Sequence, residues 1–176
     1  MVGFTEENLK DLKTPINLKH FYTIVDQRKK FSYFLTLIKL LETEKTIVFV
    51  STADQANFLN EVCVNFKIDF TDKGERENFY QSPVLKIHGF MEQKERSKIY
   101  NEFSKIKKGL LICTEVAQRG LDFPEVQIII LFDVSPSYKD YINRVGWTGR
   151  IEKNGAALSL LYEEEASYAK KLEENC

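Results

Sequence analysis

Two spacings of apolar residues alternate along the chain. Phe31, Phe34, Leu35, Ile38 and Leu41 recur at helical intervals between Arg28 and Glu42, predicting an amphipathic helix with Lys29, Lys30 and Lys39 off its apolar stripe. Thr46 to Val50 (TIVFV) is instead a nearly continuous apolar run rich in β-branched residues, the pattern of a strand covered on both faces. Phe58, Leu59, Val62 and Phe66 return to helical spacing. The alternation continues with strand Val84 to Ile87, a charged helix from Glu92 to Lys105, strands Leu110 to Cys113 and Ile128 to Phe132, and a helix from Tyr138 to Val145. Strand Ala156 to Leu161 and a helix from Glu163 close the pattern, and His20 to Val25 is the first β-like run.

Near-continuous apolar strands separated by helix-length segments predict an α/β domain with a mostly parallel sheet and helices on both faces. Residues 1–18 are polar and contain Pro15, so they read as a lead-in or linker, and residues 19–176 read as one domain. The polar stretch from Lys67 to Ser82 reads as a surface insertion. No 20- to 50-residue period or low-complexity tract is present.

Composition narrows this picture. The 176 residues are 43% hydrophobic and 29% charged, a mix that supports a full core. Lys and Arg total 25 against 26 Asp and Glu, so contact with nucleic acid must rest on local charge. No apolar run approaches the roughly 20 residues that a bilayer span requires, and the first residues carry no leader pattern; a soluble, intracellular chain without membrane contact is expected. Cys63, Cys113 and Cys176 form no CxxC pair, and only His20 and His88 are present, so no metal site is expected. Cys113, inside GLLICT, reads as a buried reduced thiol.

In an open α/β sheet, ligands lie beyond the carboxyl ends of the strands. The residues that follow the strands are Ser51 and Thr52, His88 and Gly89, Thr114 and Glu115, and Asp133. Arginine is scarce, six against 19 lysines, and four of the six (Arg96, Arg119, Arg144 and Arg150) lie between Gln93 and Arg150, where a planar bidentate donor suits phosphate oxygens. Pairing with surface carboxylates is the other use for each. There is no GxxxxGK[ST] loop, no GxGxxG turn and no aspartate pair suited to Mg2+. The chain reads as half of a nucleotide site.

Four motifs carry a resemblance. LLICTEVAQRGLDFPEV (Leu110 to Val126) resembles TDxAARGLDxPxV, YINRVGWTGR (Tyr141 to Arg150) resembles YIHRxGRTGR, HGFMEQKER (His88 to Arg96) resembles HGxxxQxxR, and IVFVST (Ile47 to Thr52) resembles the strand before the fourth helicase motif. From about residue 20 onward the chain is similar to the second, C-terminal RecA-like domain of DEAD-box RNA helicases. The wording of HGFMEQKER and RGLDFP most resembles nucleolar members acting in large ribosomal subunit assembly.

The resemblance implies a three-layer RecA-like fold and a set of roles. Gly120 and Asp122, with Arg119, would meet ATP at its ribose and phosphates. Arg150 would be an arginine finger, assisted by Arg144, and Arg119 and Arg144 would lock the two domains together. Thr52, Gly89, Gln93, Arg96 and Thr114 would line a track for the RNA sugar-phosphate backbone. Mg2+ would be held by the first domain. Read without the resemblance, Thr114 also fits a strand end, Gly120 a turn with φ > 0, Asp122 a cap, and Gln93 with Arg96 an ordinary i, i+3 helix face.

Three positions depart from the motifs: Glu115 for Asp, Asn143 for His, and Trp147 for the first arginine of GRTGR. An indole supplies one N–H donor and no positive charge. The expected function is the C-terminal half of an ATP-dependent RNA helicase, a monomer whose partners are single-stranded or locally duplex pre-ribosomal RNA and its own N-terminal RecA-like domain. Placement in the nucleus and nucleolus follows from the subfamily likeness, and the isolated domain is expected to be inactive. The alternatives are a degenerate helicase domain kept as an RNA- or protein-binding scaffold, and a DNA-processing relative.

Overall fold

A computed structural model describes residues 17–69, 76–118, 123–149 and 154–175. The helical and strand periodicities become β1 (Leu18–Ile24), α1 (Lys30–Leu40), β2 (Lys45–Phe49), α2 (Ala53–Asn65), β3 (Lys67–Asp69), β4 (Arg76–Asn78), β5 (Val84–Ile87) and α3 (Gln93–Lys105). They continue as β6 (Gly109–Cys113), β7 (Ile128–Leu131), α4 (Tyr138–Val145), β8 (Gly155–Leu161) and α5 (Ala166–Asn175), with short 3-10 turns at Glu115–Gln118 and Glu163–Glu165. The main sheet has six strands in the order β1-β8-β7-β2-β6-β5, each pair parallel.

Side-chain alternation along the strands divides the core into two layers. Ile47, Phe49, Leu111, Cys113, Ile129 and Leu131 point to one face with Phe103 of α3, Tyr141 of α4 and Leu172 of α5. Val48, Val50, Leu110, Ile112 and Ile130 point to the other, with Phe34 and Ile38 of α1 and Leu59 of α2. All five residues of β2 and of β6 are buried, as central strands covered on both faces require. The expected three-layer α/β fold is present.

Three local expectations change. In α2 the inward residues are Ala56, Leu59 and Cys63, whereas Phe58 and Phe66 are exposed. Small side chains at Ala56 and Cys63 allow α2 to lie close to the sheet, and burial pushes the Cys63 thiol up to about 12. Lys30, expected off the apolar stripe, is buried with 2% exposure. The stretch 67–82 contains an antiparallel pair, β3 with β4, and then turns inward at Phe79 and Tyr80, both buried. Of this stretch, the β4 residues Arg76 to Asn78 are exposed, while Phe79 and Tyr80 join the core.

Candidate functional site

Parallel pairing brings the residues that follow β2, β5, β6 and β7 to one edge of the sheet. Because β2, β6 and β5 are neighbours, Thr52, Thr114 and Gly89 stand at adjacent strand ends. Thr52 is exposed and also starts α2: its hydroxyl accepts the Gln55 N–H at 3.1 Å, while Gln55 Oε1 accepts the Thr52 N–H at 3.0 Å, a reciprocal cap. The Ser51 N–H donates to Asp133 Oδ2 at 2.9 Å, tying the end of β2 to the end of β7.

Asp133 is held from below. Lys30 Nζ lies 3.7 Å from Asp133 Oδ1, 3.9 Å from the centre of the Tyr162 ring and 4.9 Å from that of Phe132. Burial lowers the Lys30 pKa, against the attraction of Asp133 and Glu165. The two rings and one carboxylate together accommodate a cation that has left water.

Beyond β5 the chain makes a tight turn. The His88 carbonyl accepts the Met91 N–H at 3.2 Å, the His88 N–H points to Met91 Sδ at 3.4 Å, and His88 Nε2 sits 3.1 Å from Asn57 Oδ1 of α2. A Cβ at Gly89 would meet Val116 Cγ2 at 3.3 Å, so the missing side chain lets this turn lie against the segment that follows β6. The Thr114 N–H donates to the Ile87 carbonyl at 3.1 Å, closing the same junction. Gln93 and Arg96 share a face of the first turns of α3, with Arg96 Nη2 donating to Gln93 Oε1. Arg96 Nε is buried without a hydrogen-bond partner among the described residues.

The five residues assigned to the RNA track thus gather at this edge, but not equally. Thr52, Gly89 and Gln93 are exposed and Arg96 is partly so, whereas Thr114 is enclosed at 5% exposure. The track expectation missed Phe90, between Gly89 and Met91, which is 90% exposed. Its signal in the sequence was a large apolar residue at the tip of a Gly-containing turn.

The arginine region is different. Arg119, Gly120, Asp122 and Arg150 lie outside the described residues. Arg144, in the last turn of α4, is 4% exposed, and its guanidinium lies 5.1 Å from the centre of the Phe49 ring. Burial lowers its pKa, offset by Cys113, Asp140, Tyr168 and Glu115. Trp147 is also buried, with its ring 5.3 Å from Phe49 and 5.2 Å from Phe123. Asn143 and Glu115 are exposed.

Trp147 therefore serves as core. Phe123 directly follows the 119–122 segment and Trp147 precedes Arg150 by three residues, so one aromatic contact joins the two stretches that carry the arginine candidates. Thr148 continues the connection, its hydroxyl lying 2.7 Å from the Val126 carbonyl and 2.9 Å from that of Gln127. Among the described residues no group of three or more His, Cys, Asp or Glu is placed to hold a metal ion. No helix among them is long and apolar enough to cross a membrane.

Comparison with known proteins agrees with this fold. The helicase conserved C-terminal domain matches residues 29–152. DEAD-box ATP-dependent RNA helicase 17 of Oryza sativa subsp. japonica is 34% identical over 96% of this chain and 30% of its own length. ATP-dependent RNA helicase HAS1 of Saccharomyces cerevisiae is 34% identical over 92% of this chain and 30% of its own length. The chain thus spans about 30% of each of these relatives. Among solved structures, Mss116p DEAD-box helicase domain 2 bound to an RNA duplex superposes with a TM-score of 0.75 at 25% identity, covering 90% of this chain and 59% of that one. The yeast DEAD-box splicing factor Prp28 gives 0.72 at 27% identity, covering 92% of this chain and 33% of its own.

Proposed function

Because the chain belongs to the helicase conserved C-terminal domain family, as the second RecA-like domain of the DEAD-box type, we propose that it is the RNA-gripping half of an ATP-dependent RNA helicase. The observation that carries this reading is the gathering of Thr52, Gly89, Gln93 and Arg96 at the carboxyl edge of a parallel sheet. Exposed side-chain donors and an unobstructed glycine backbone there suit a sugar-phosphate chain held without sequence reading. With ATP bound, this domain closes on a first RecA-like domain and bends the RNA strand away from its complement.

Gly120, Asp122 and Arg119 meet the ribose and phosphates, and Arg150 is the finger that stabilises charge on the γ-phosphate. Arg144 acts from the interior as a positioning residue: its guanidinium, 5.1 Å from the centre of the Phe49 ring, holds the last turn of α4 against β2. The chain has no phosphate cradle of its own, so ATP and its Mg2+ depend on the first domain. The motif wording further supports a role in large ribosomal subunit assembly, on pre-ribosomal RNA in the nucleolus.

RNA-stimulated ATP hydrolysis by this domain joined to a DEAD-box first domain tests the reading. Arg150→Ala is expected to abolish turnover while RNA binding persists; full turnover in that variant would refute the finger assignment. This chain alone is expected to bind nucleotide weakly and not to turn it over. A second reading is favoured by the burial of Trp147, which leaves its position without a cation: a helicase fold kept as an RNA-binding scaffold. RNA affinity unaltered by ATP, with the first domain present, would select that reading.

A further inference from the structure

Phe90 is 90% exposed, the most exposed of the large hydrophobic residues described. Its position follows from the turn that holds it. His88 and Met91 are both buried, and backbone and thioether contacts between them close the turn at its base. A four-residue turn anchored inward at its first and last residues must present its middle two, here Gly89 and Phe90. Among the described residues the ring has one aromatic neighbour, His88, edge-on at a centroid distance of 6.4 Å. Gly89 precedes it directly, and Gln93 and Arg96 follow within six residues on the first turns of α3, all three assigned above to the RNA backbone.

We propose that Phe90 is a base-stacking platform on the RNA track. The inference rests on the RNA-track reading and adds to it a contact with the nucleobase. A strand held by its phosphates and sugars leaves its bases free, and a base unpaired from its complement loses a stacking partner. An exposed phenyl ring beside the backbone contacts supplies a replacement π-face to any base, so the contact adds affinity with little sequence preference. Exposure of a ring that buries no core surface is explained by this use, and Lys94, exposed on the first turn of α3, adds local positive charge for the strand.

The test is a double comparison on this chain at fixed salt: wild type and Phe90→Ala, each titrated with single-stranded oligoadenylate and with an abasic ribose-phosphate oligomer of the same length. Oligoadenylate is expected to bind Phe90→Ala roughly 5- to 100-fold more weakly than wild type, while the abasic strand binds both alike. Phe90→Tyr should retain the affinity. Arg96→Ala is the control for the track itself and should weaken both strands. Equal oligoadenylate affinity in wild type and Phe90→Ala, with Arg96→Ala weakened, would overturn the stacking and keep the track, leaving the ring for a protein partner. Equal affinity of all variants, or no binding by wild type, would overturn both.

Discussion

Phe90 and Trp147 are aromatic residues inside two of the matched motifs, and the structure treats them in opposite ways. The turn after β5 holds Phe90 in solvent, 90% exposed, whereas the end of α4 draws Trp147 into the core at 5% exposure, against Phe49 and Phe123. The contrast teaches that what surrounds a motif position decides its use. At the β5 turn His88 and Met91 are the side chains turned inward, and the phenyl ring between them is left in solvent. At the end of α4, Phe49, Phe103 and Phe123 form an aromatic cluster that a large flat side chain completes. A guanidinium at 147 would be buried beside Arg144 without a place in that cluster, so substitution there alters the architecture as well as the charge.

Breaking the buried side of this contrast should have the largest effect. Trp147→Ala is expected to destabilise the domain by about 3–5 kcal/mol, read from urea midpoints at constant m. Trp147→Arg is expected to cost several kcal/mol for a buried like-charge neighbour to Arg144, on the order of the cost of an unpaired buried ion. Wild-type stability in Trp147→Arg would mean that the side chain swings out.

Next in size is the Lys30 site. Asp133→Asn leaves the ammonium between Tyr162 and Phe132 with no carboxylate at 3.7 Å, and about 2 kcal/mol should be lost, discounted because Asp133 is partly exposed. Lys30→Met, which removes the buried charge itself, should lose less. The double variant then distinguishes an ion-pair contribution from simple packing.

Acid sensitivity is a smaller effect with a defined sign. Burial lowers the pKa of both His20 and His88 from 6.5. Just below 6.5 the unfolded chain therefore binds more protons, so stability is full above that pH and falls as pH drops toward the lowered values, by at most about 1.4 kcal/mol per unit per histidine. His20→Gln should flatten part of this slope in urea titrations between pH 7.5 and 5.5, while exchanging the 2.6 Å contact between His20 Nδ1 and the Tyr141 hydroxyl for a weaker one. Phe90→Ala stands at the bottom of the series: a ring in solvent contributes no burial, and its midpoint should match wild type within about 0.5 kcal/mol.

The strands and their parallel direction were legible because β2 and β6 are nearly continuous in apolar residues, a pattern that few arrangements other than a doubly covered sheet accommodate. The edge carrying Thr52, Gly89 and Thr114 followed from that direction alone, whereas which strands are neighbours came only with the structure. Helix facing was less legible. Phe58 and Phe66 offer more apolar area than Ala56 and Cys63, yet α2 turns Ala56, Leu59 and Cys63 to the sheet and leaves both rings exposed. Lys30 was read as surface because its interior partners, Tyr162, Phe132 and Asp133, lie on other elements far along the chain. Trp147 was read only as the loss of a motif cation; its aromatic partners come from β2 and from the segment before β7, and helical or strand periodicity contains no information about them.

Fluorescence of Trp147, the one tryptophan in the sequence, tests the use of this position as core most directly. Its emission should be blue-shifted, resistant to acrylamide and unchanged when ATP is added to the domain joined to its first-domain partner, because the indole lies between Phe49 and Phe123. Red-shifted emission that acrylamide quenches freely, or that ATP protects, would contradict that account.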